Sequence, residues 1–204
     1  TIKRPIQIPS TKFKNVSTLL NDEMAYQLYN MLPEASRLAQ PNLVFSTKKD
    51  GWSMENLLAK TVNLDPVIIL IKALKSRVVI GGYSTARISP PSNRIRGGGE
   101  CFVFRLSPIP AAYYWTYIPS MKKESHNQFV LSCREYLAFG GSEEFGTNAI
   151  RLDSDLRTCD SGPSDTYLNP TSLVPEESVN GQIGPFPVEN IEVIHITGII
   201  KRSR

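Results

Sequence analysis

The order of two periodicities along the chain predicts an α+β fold: an antiparallel β-sandwich of two sheets flanked by short helices. Apolar residues at helical spacing occur only before Thr61, and short apolar runs punctuated by Gly and Pro follow to the end. Helices first and strands afterwards argue against alternating βαβ units. Val67-Ile68-Ile69-Leu70-Ile71 has no polar face, so its strand is expected to be covered on both sides. No repeat of fixed period and no internal linker interrupts the 204 residues, which suit one large domain.

Residues 1–16 read as extended, with Pro5 and Pro9. Asn21-Asp22-Glu23 opens a helix, because Asn caps free amides and the two acids sit at the positive end of its dipole. Met24, Leu28, Met31 and Leu32 give it one apolar face, and Pro33 ends it. Leu43–Phe45 reads as a short strand and Asp50-Gly51 as a turn. Ser53 caps a second helix through Lys60 that buries Met54, Leu57 and Leu58. Strands are expected at 67–72 and 77–83 as a hairpin, then at 101–106, 113–117, 128–133, 136–139, 148–152 and 188–196. The Pro/Gly-rich stretches 84–99 and 157–187 read as loops.

Composition excludes several functional classes. Apolar and charged contents are ordinary, so global disorder is not expected. The longest apolar run is too short to span a bilayer, and nothing at Thr1 resembles a signal peptide. Cys101, Cys133 and Cys159 are widely spaced and odd in number, which points to a reducing, cytoplasmic setting. Cys101 reads as a small core residue, and Cys159, in a polar stretch, as the more oxidisable thiol.

The formal charge of +4 is uneven. Lys3, Arg4, Lys12 and Lys14 crowd one end of the chain, and Lys201, Arg202 and Arg204 the other. Without these seven, sixteen basic residues face nineteen acidic ones. If the chain ends converge, they form one basic patch suited to an acidic partner or an anionic membrane surface; otherwise they are solvated tails. Nucleic acid is disfavoured, since the basic residues are terminal and not interleaved with aromatics.

The run Gly97-Gly98-Gly99-Glu100-Cys101-Phe102-Val103-Phe104 delivers one carboxylate to the mouth of an apolar strand. Glu100 is either solvated at the strand end or buried with a dedicated partner, where it would lock loop 84–99 to the sheet. The glycines precede a strand and lack a following Lys-Ser/Thr, so phosphate-loop chemistry is not indicated. Asp153-x-Asp155 resembles part of a calcium loop, but the third ligand and the glycine are missing, and a strand-end turn accounts for it. Two histidines, His126 and His195, cannot build a three-His metal site, and neither adjoins a nucleophile signature. No cofactor or metal is expected.

Six segments in order resemble the TLDc domain of the oxidation resistance proteins. They are Leu43–Met54 with Asp50-Gly51, Leu70-Ile71-Lys72, Gly81-Gly82-Tyr83, Gly99–Phe104, Leu152–Leu156 continuing to Thr166–Pro170, and Ile191-Glu192-Val193. The wording around Glu100 looks most like the branch in which TLDc follows a TBC domain in Rab-GAP-like, Skywalker-type proteins. On that resemblance 1–18 is a basic arm, 19–200 the TLDc domain and 201–204 a basic tail. The chain departs from the family pattern at Ile95-Arg96, Ile194-His195 and Ser164.

The resemblance implies a non-enzymatic module that protects cells, notably neurons, from oxidative stress. Its implied partners are V1 subunits of the vacuolar proton-pumping ATPase and a TBC domain in the same polypeptide. It also implies support of synaptic vesicle trafficking, with a cytoplasmic or peripheral location on vesicles or endosomes. Glu100, Gly99, Gly98, Asp50, Gly51, Asp153 and Asp155 are the candidate docking residues. The rival readings are an antioxidant or enzyme using Glu100 or a cysteine, and a membrane adaptor using the basic ends.

Overall fold

The computed structural model describes residues 9–88, 94–178 and 184–198. Helix α1 (Thr11–Val16) leads to α2 (Asp22–Met31), whose N-cap Asn21 accepts from the Met24 amide at 2.8 Å. Pro33 forbids continuation, and a separate short helix α3 (Glu34–Leu38) follows. Strand β1 (Gln40–Ser46) runs into a single helical turn, α4 (Thr47–Asp50), which Gly51 ends at φ +84°. Ser53 caps α5 (Met54–Thr61) through the Asn56 amide, and Met54, Leu57 and Leu58 are buried as the spacing requires.

The strands are β2 (Val67–Ala73), β3 (Val79–Ser84), β4 (Ile95–Arg96), β5 (Phe102–Arg105) and β6 (Ala111–Tyr114). They continue with β7 (Val130–Ser132), β8 (Tyr136–Phe139), β9 (Ile150–Asp153), β10 (Thr158–Asp160) and β11 (Phe186–Thr197). All pairings are antiparallel. The order β4-β7-β8-β9-β10-β11-β2-β3-β5-β6, with β1 also on β11, is one open sheet folded over at β11. Phe186 and Pro187 pair with β10, whereas Val188 to His195 pair with β2 and Glu192 to Thr197 with β1. The expected sandwich is therefore present, and its two leaves are continuous through one strand.

Alternation along β2 explains its unbroken apolar run. Ile69 and Ile71 point between the leaves, against a core that includes Val103, Leu137, Phe139, Leu152 and Val193. Ile68 and Leu70 point outward, into a second core with Phe13, Leu28, Phe102, Phe104 and Ile194 under the N-terminal helices. Each such side chain contributes about 1.5–3 kcal/mol by leaving water.

Five local expectations are corrected. Residues 11–16 are helical rather than extended, because Phe13 anchors that turn in the outer core. Within 84–99, Ile95-Arg96 pair with β7, and within 157–187, Thr158–Asp160 bridge β9 and β11. These strands have two or three residues each, too short to show periodicity. Asp50-Gly51 ends a helical turn and is not an isolated turn. The strand expected over 113–117 spans 111–114, paired to β5 from Ala111 to Tyr114. The possible extension of the last strand to Ile200 lies outside the described residues.

Glu192, on β11, is completely buried, and no cation pairs with it among the described residues. Its carboxylate accepts from the Ser17 hydroxyl at 2.5 Å, the Thr18 hydroxyl at 2.6 Å and the Thr18 amide at 3.2 Å. A single side chain thus fastens the α1–α2 connection to the sheet. Glu192→Gln should cost roughly 2–3 kcal/mol in urea denaturation, since one charge-assisted set is lost and donors are left facing the new amide. A loss below about 0.5 kcal/mol would mean that the connection is held by apolar packing alone.

Candidate functional site

Cys101 N donates to Gly98 O at 2.9 Å, closing a turn with Gly99 and Glu100 at its tip immediately before β5. A Cβ on Gly99 would fall 2.6 Å from Trp115 Cε3, so only glycine lets the turn lie against that ring. Trp115 is fixed in turn by its Nε1–H, which donates to His126 O at 3.1 Å, and by ring contacts with His126 and Phe129. Gly98 has open space where a side chain would be, so the carbonyl rather than the missing Cβ is what the turn uses.

Glu100 is exposed, and its side chain has no hydrogen bond or ion pair among the described residues. Of the two expectations for it, the solvated one holds; the loop is held by backbone pairing instead of by this carboxylate. Glu100 and Gly99 line a cleft of about 720 Å³ between the α2–α3 corner and the adjoining ends of β3, β5 and β6. Leu32, Pro33, Pro66 and Phe102 supply apolar walls, and Asp65 adds a second carboxylate 3.9 Å from Arg87 Nε.

Two phenols complete the lining. Tyr83 and Tyr114 flank Phe102 with ring centroids 5.2 and 4.8 Å from it. The Tyr83 hydroxyl pairs with Ser36 Oγ at 2.7 Å, and Tyr114 donates to Met31 O at 2.9 Å. Burial pushes the Tyr83 phenol up, the Ser36 bond opposes this, and the charge of Glu100 adds to it. Burial raises Tyr114 as well. Both phenols therefore stay protonated at neutral pH. A half-apolar cleft with a free carboxylate at its mouth can seat a cationic or hydrogen-bond-donating group beside apolar surface. Ser36, Asp65, Tyr83 and Tyr114 escaped sequence reasoning; only Tyr83, beside Gly81-Gly82, lay in a motif that drew attention.

The other candidates lie elsewhere. Asp50 and Gly51 do not line this cleft. Asp50 accepts from the Ser46 amide at 2.9 Å and pairs with Lys60 at 2.7 Å, tying β1 to α5. Asp153 accepts from Thr158 Oγ1 at 2.7 Å and Asp155 from the Arg157 amide at 2.9 Å, forming the expected strand-end turn between β9 and β10. No cluster of metal-ligating side chains occurs among the described residues. Lys14 pairs with Asp22, and Lys12 donates to two main-chain carbonyls, so both belong to folded α1. Lys3, Arg4, Lys201, Arg202 and Arg204 lie outside the described residues.

Neither histidine meets a nucleophile. His126 is buried in a 3-10 turn, Glu124–Asn127, with Nδ1 3.1 Å from Asp165 O. His195 is half-buried on β11, as its strand position implies. The placement of Cys159 in a polar loop is corrected: it sits in β10, fully buried, because the short strand turns it into the inter-leaf core. Burial and the neighbouring Asp160 push its thiol far up, so the reactive thiolate is suppressed. Cys101 and Cys133 are buried too. No helix among the described residues is long and apolar enough to cross a membrane.

Known proteins place this fold. A family model of the TLDc domain matches residues 13–197. The chain belongs to the TLDc family. This TLDc domain is 26% identical to the GTPase-activating protein skywalker of Drosophila melanogaster, over 98% of the chain and 33% of that protein. It is 31% identical to oxidation resistance protein 1 of Xenopus laevis, over 87% of the chain and 19% of that protein. With human nuclear receptor coactivator 7 it shares 28% identity over 75% of the chain and 15% of that protein. The chain thus spans a third or less of the length of these relatives.

Two measurements check the site chemistry. The Lys60 hydrogen bond holds Asp50 below the ordinary carboxylate range. A depressed carboxylate stabilises the fold above its unfolded pKa, and that contribution is lost as pH falls through the folded value. The stability gap between wild type and Asp50→Asn should therefore be open at pH 7 and close below about pH 4. A gap independent of pH would show that the Lys60 pair contributes nothing. Separately, all three cysteines should resist iodoacetamide and mild peroxide in native buffer and react fully in urea, as mass mapping would record. Fast native modification of Cys159 would mean that β10 opens locally.

Proposed function

We propose that this TLDc domain is a non-enzymatic docking module serving resistance to oxidative stress, and that it engages its partner through the Glu100 cleft. The single observation carrying this reading is the exposed carboxylate of Glu100, unpaired among the described residues and held on a glycine turn at the mouth of an apolar-walled cleft. Loops braced by a rigid scaffold are where recognition residues concentrate. The turn is braced by the Cys101 N–Gly98 O bond and by its seat on Trp115, and pre-organisation of this kind lowers the ordering cost of binding. The burial of all three thiols favours docking over a thiol-based antioxidant.

The partner in this proposal is the V1 sector of the vacuolar proton-pumping ATPase, as the sequence resemblance implies. The resemblance of the Glu100 segment to the TBC-linked branch extends this proposal to a TBC domain as a further partner and synaptic vesicle trafficking as the setting, with a cytoplasmic or vesicle-peripheral location. A basic or donor-rich surface of V1 would meet Glu100, and apolar side chains beside it would enter the cleft. Capture of purified V1 by the immobilised domain tests this. Glu100→Gln, matched to wild type by circular dichroism, should retain at least roughly fivefold less V1, the effect of removing one charge-assisted contact. Equal retention by both proteins would move the docking surface elsewhere, and no retention by wild type would remove V1 as partner.

A further inference from the structure

The α2–α3 corner has a second side, of opposite charge. A cleft of about 460 Å³ lies between α1, α2 and the start of β1, lined by Lys12, Asn15, Tyr29, Arg37, Leu38 and Gln40 among others. Among the described residues no carboxylate lines it. Lys12 Nζ spends two of its three protons on Arg37 O and Ala39 O, at 2.5 and 2.6 Å, which fixes the ammonium at the cleft wall. Desolvation by burial pulls its pKa down, the response of a cation that lacks a counter-ion.

Arg37 is the more telling group. Its guanidinium makes no hydrogen bond or ion pair among the described residues; it rests over the Tyr29 ring, 5.9 Å from the centroid. Its Nε is buried with no acceptor. A planar fork of donors left unpaired beside a fixed ammonium matches a doubly charged phosphate monoester in geometry and charge. Leu38, next in sequence, is 75% exposed at the rim. Gln40 pairs with Thr197 at the end of β11, and Pro9 lines the same cleft. Both ends of the described fold therefore meet here, and the sequence beyond them carries Lys3, Arg4, Lys201, Arg202 and Arg204. Two cations with no counter-ion among the described residues, beside an exposed leucine and with further positive charge close along the chain, form the pattern that adsorbs to anionic lipid.

We propose that the Lys12–Arg37 cleft binds the phosphorylated headgroup of a phosphoinositide at a membrane surface. The site lies apart from the Glu100 cleft, so V1 capture and lipid binding can fail separately. The test is co-sedimentation of the whole chain with three probes. These are phosphatidylcholine vesicles carrying phosphatidylinositol bisphosphate, vesicles of equal charge carrying phosphatidylserine, and soluble inositol trisphosphate as competitor. Wild type should bind the phosphoinositide vesicles in preference to the phosphatidylserine ones. Arg37→Gln, where the native side chain makes no hydrogen bond among the described residues, should keep its Tm and bind about fivefold more weakly. Arg37→Lys, which keeps the charge but not the fork, should fall between. Equal affinity of wild type for both vesicles would overturn the headgroup assignment. Binding unchanged in Arg37→Gln would overturn the cleft. Inositol trisphosphate binding without vesicle binding would overturn the membrane source.

Discussion

Strand β11 is the constraint on which the remaining structure hangs. It hydrogen-bonds to β10 at its start, to β2 through its middle and to β1 at its end, so it carries the fold from one leaf into the other. Its alternate side chains serve two cores: Val193 looks between the leaves and Ile194 toward the helices. Its one buried charge, Glu192, reaches the Ser17–Thr18 turn and fixes α1 and α2 over the outer face. Asn190 on the same strand accepts from Thr47 Oγ1 at 2.7 Å, which sets α4 and hence the Asp50–Lys60 tie to α5. Polar groups so deeply buried are costly unless satisfied, and each of these contacts fixes the position of a distant segment.

With the helices pinned in this way, the α2–α3 corner becomes a wall between two recesses. On one side Leu32 and Pro33 face Glu100 and the phenols; on the other Arg37 and Leu38 face Lys12. The charge of Arg37 is felt across the corner at Tyr114, where it opposes the upward push of burial.

Local chemistry was legible in the sequence wherever it acts over a few residues. Asn21 and Ser53 cap the helices they were read to cap, Pro33 ends one, and the apolar run of β2 declares burial on both faces. Elements held only by distant partners were not legible. Phe13 makes α1 a helix by sitting in a core assembled from residues far along the chain, and β4 and β10 exist because neighbouring strands pair with them. Cys159 is flanked by Thr158 and Asp160, so its setting looks polar until strand alternation turns those two aside and the thiol inward. The glycine run announced Glu100, but nothing near it announced Asp65, Tyr83 or Tyr114, which three separate strand ends bring to the same cleft. Nothing in the sequence singled out Arg37, because the missing acceptor of its buried Nε is a fact of three dimensions.

The position of β11 in the chain has a consequence for biogenesis. Both cores, the α1–α2 clasp and the join between the leaves wait for residues 186–197, so contacts of very long sequence separation must form before any part is secure. During synthesis, β1, β2 and β10 emerge with a backbone edge that has no partner until those last residues follow. Until residues 186–197 are made, these open edges are the kind of surface on which nascent chains misassociate.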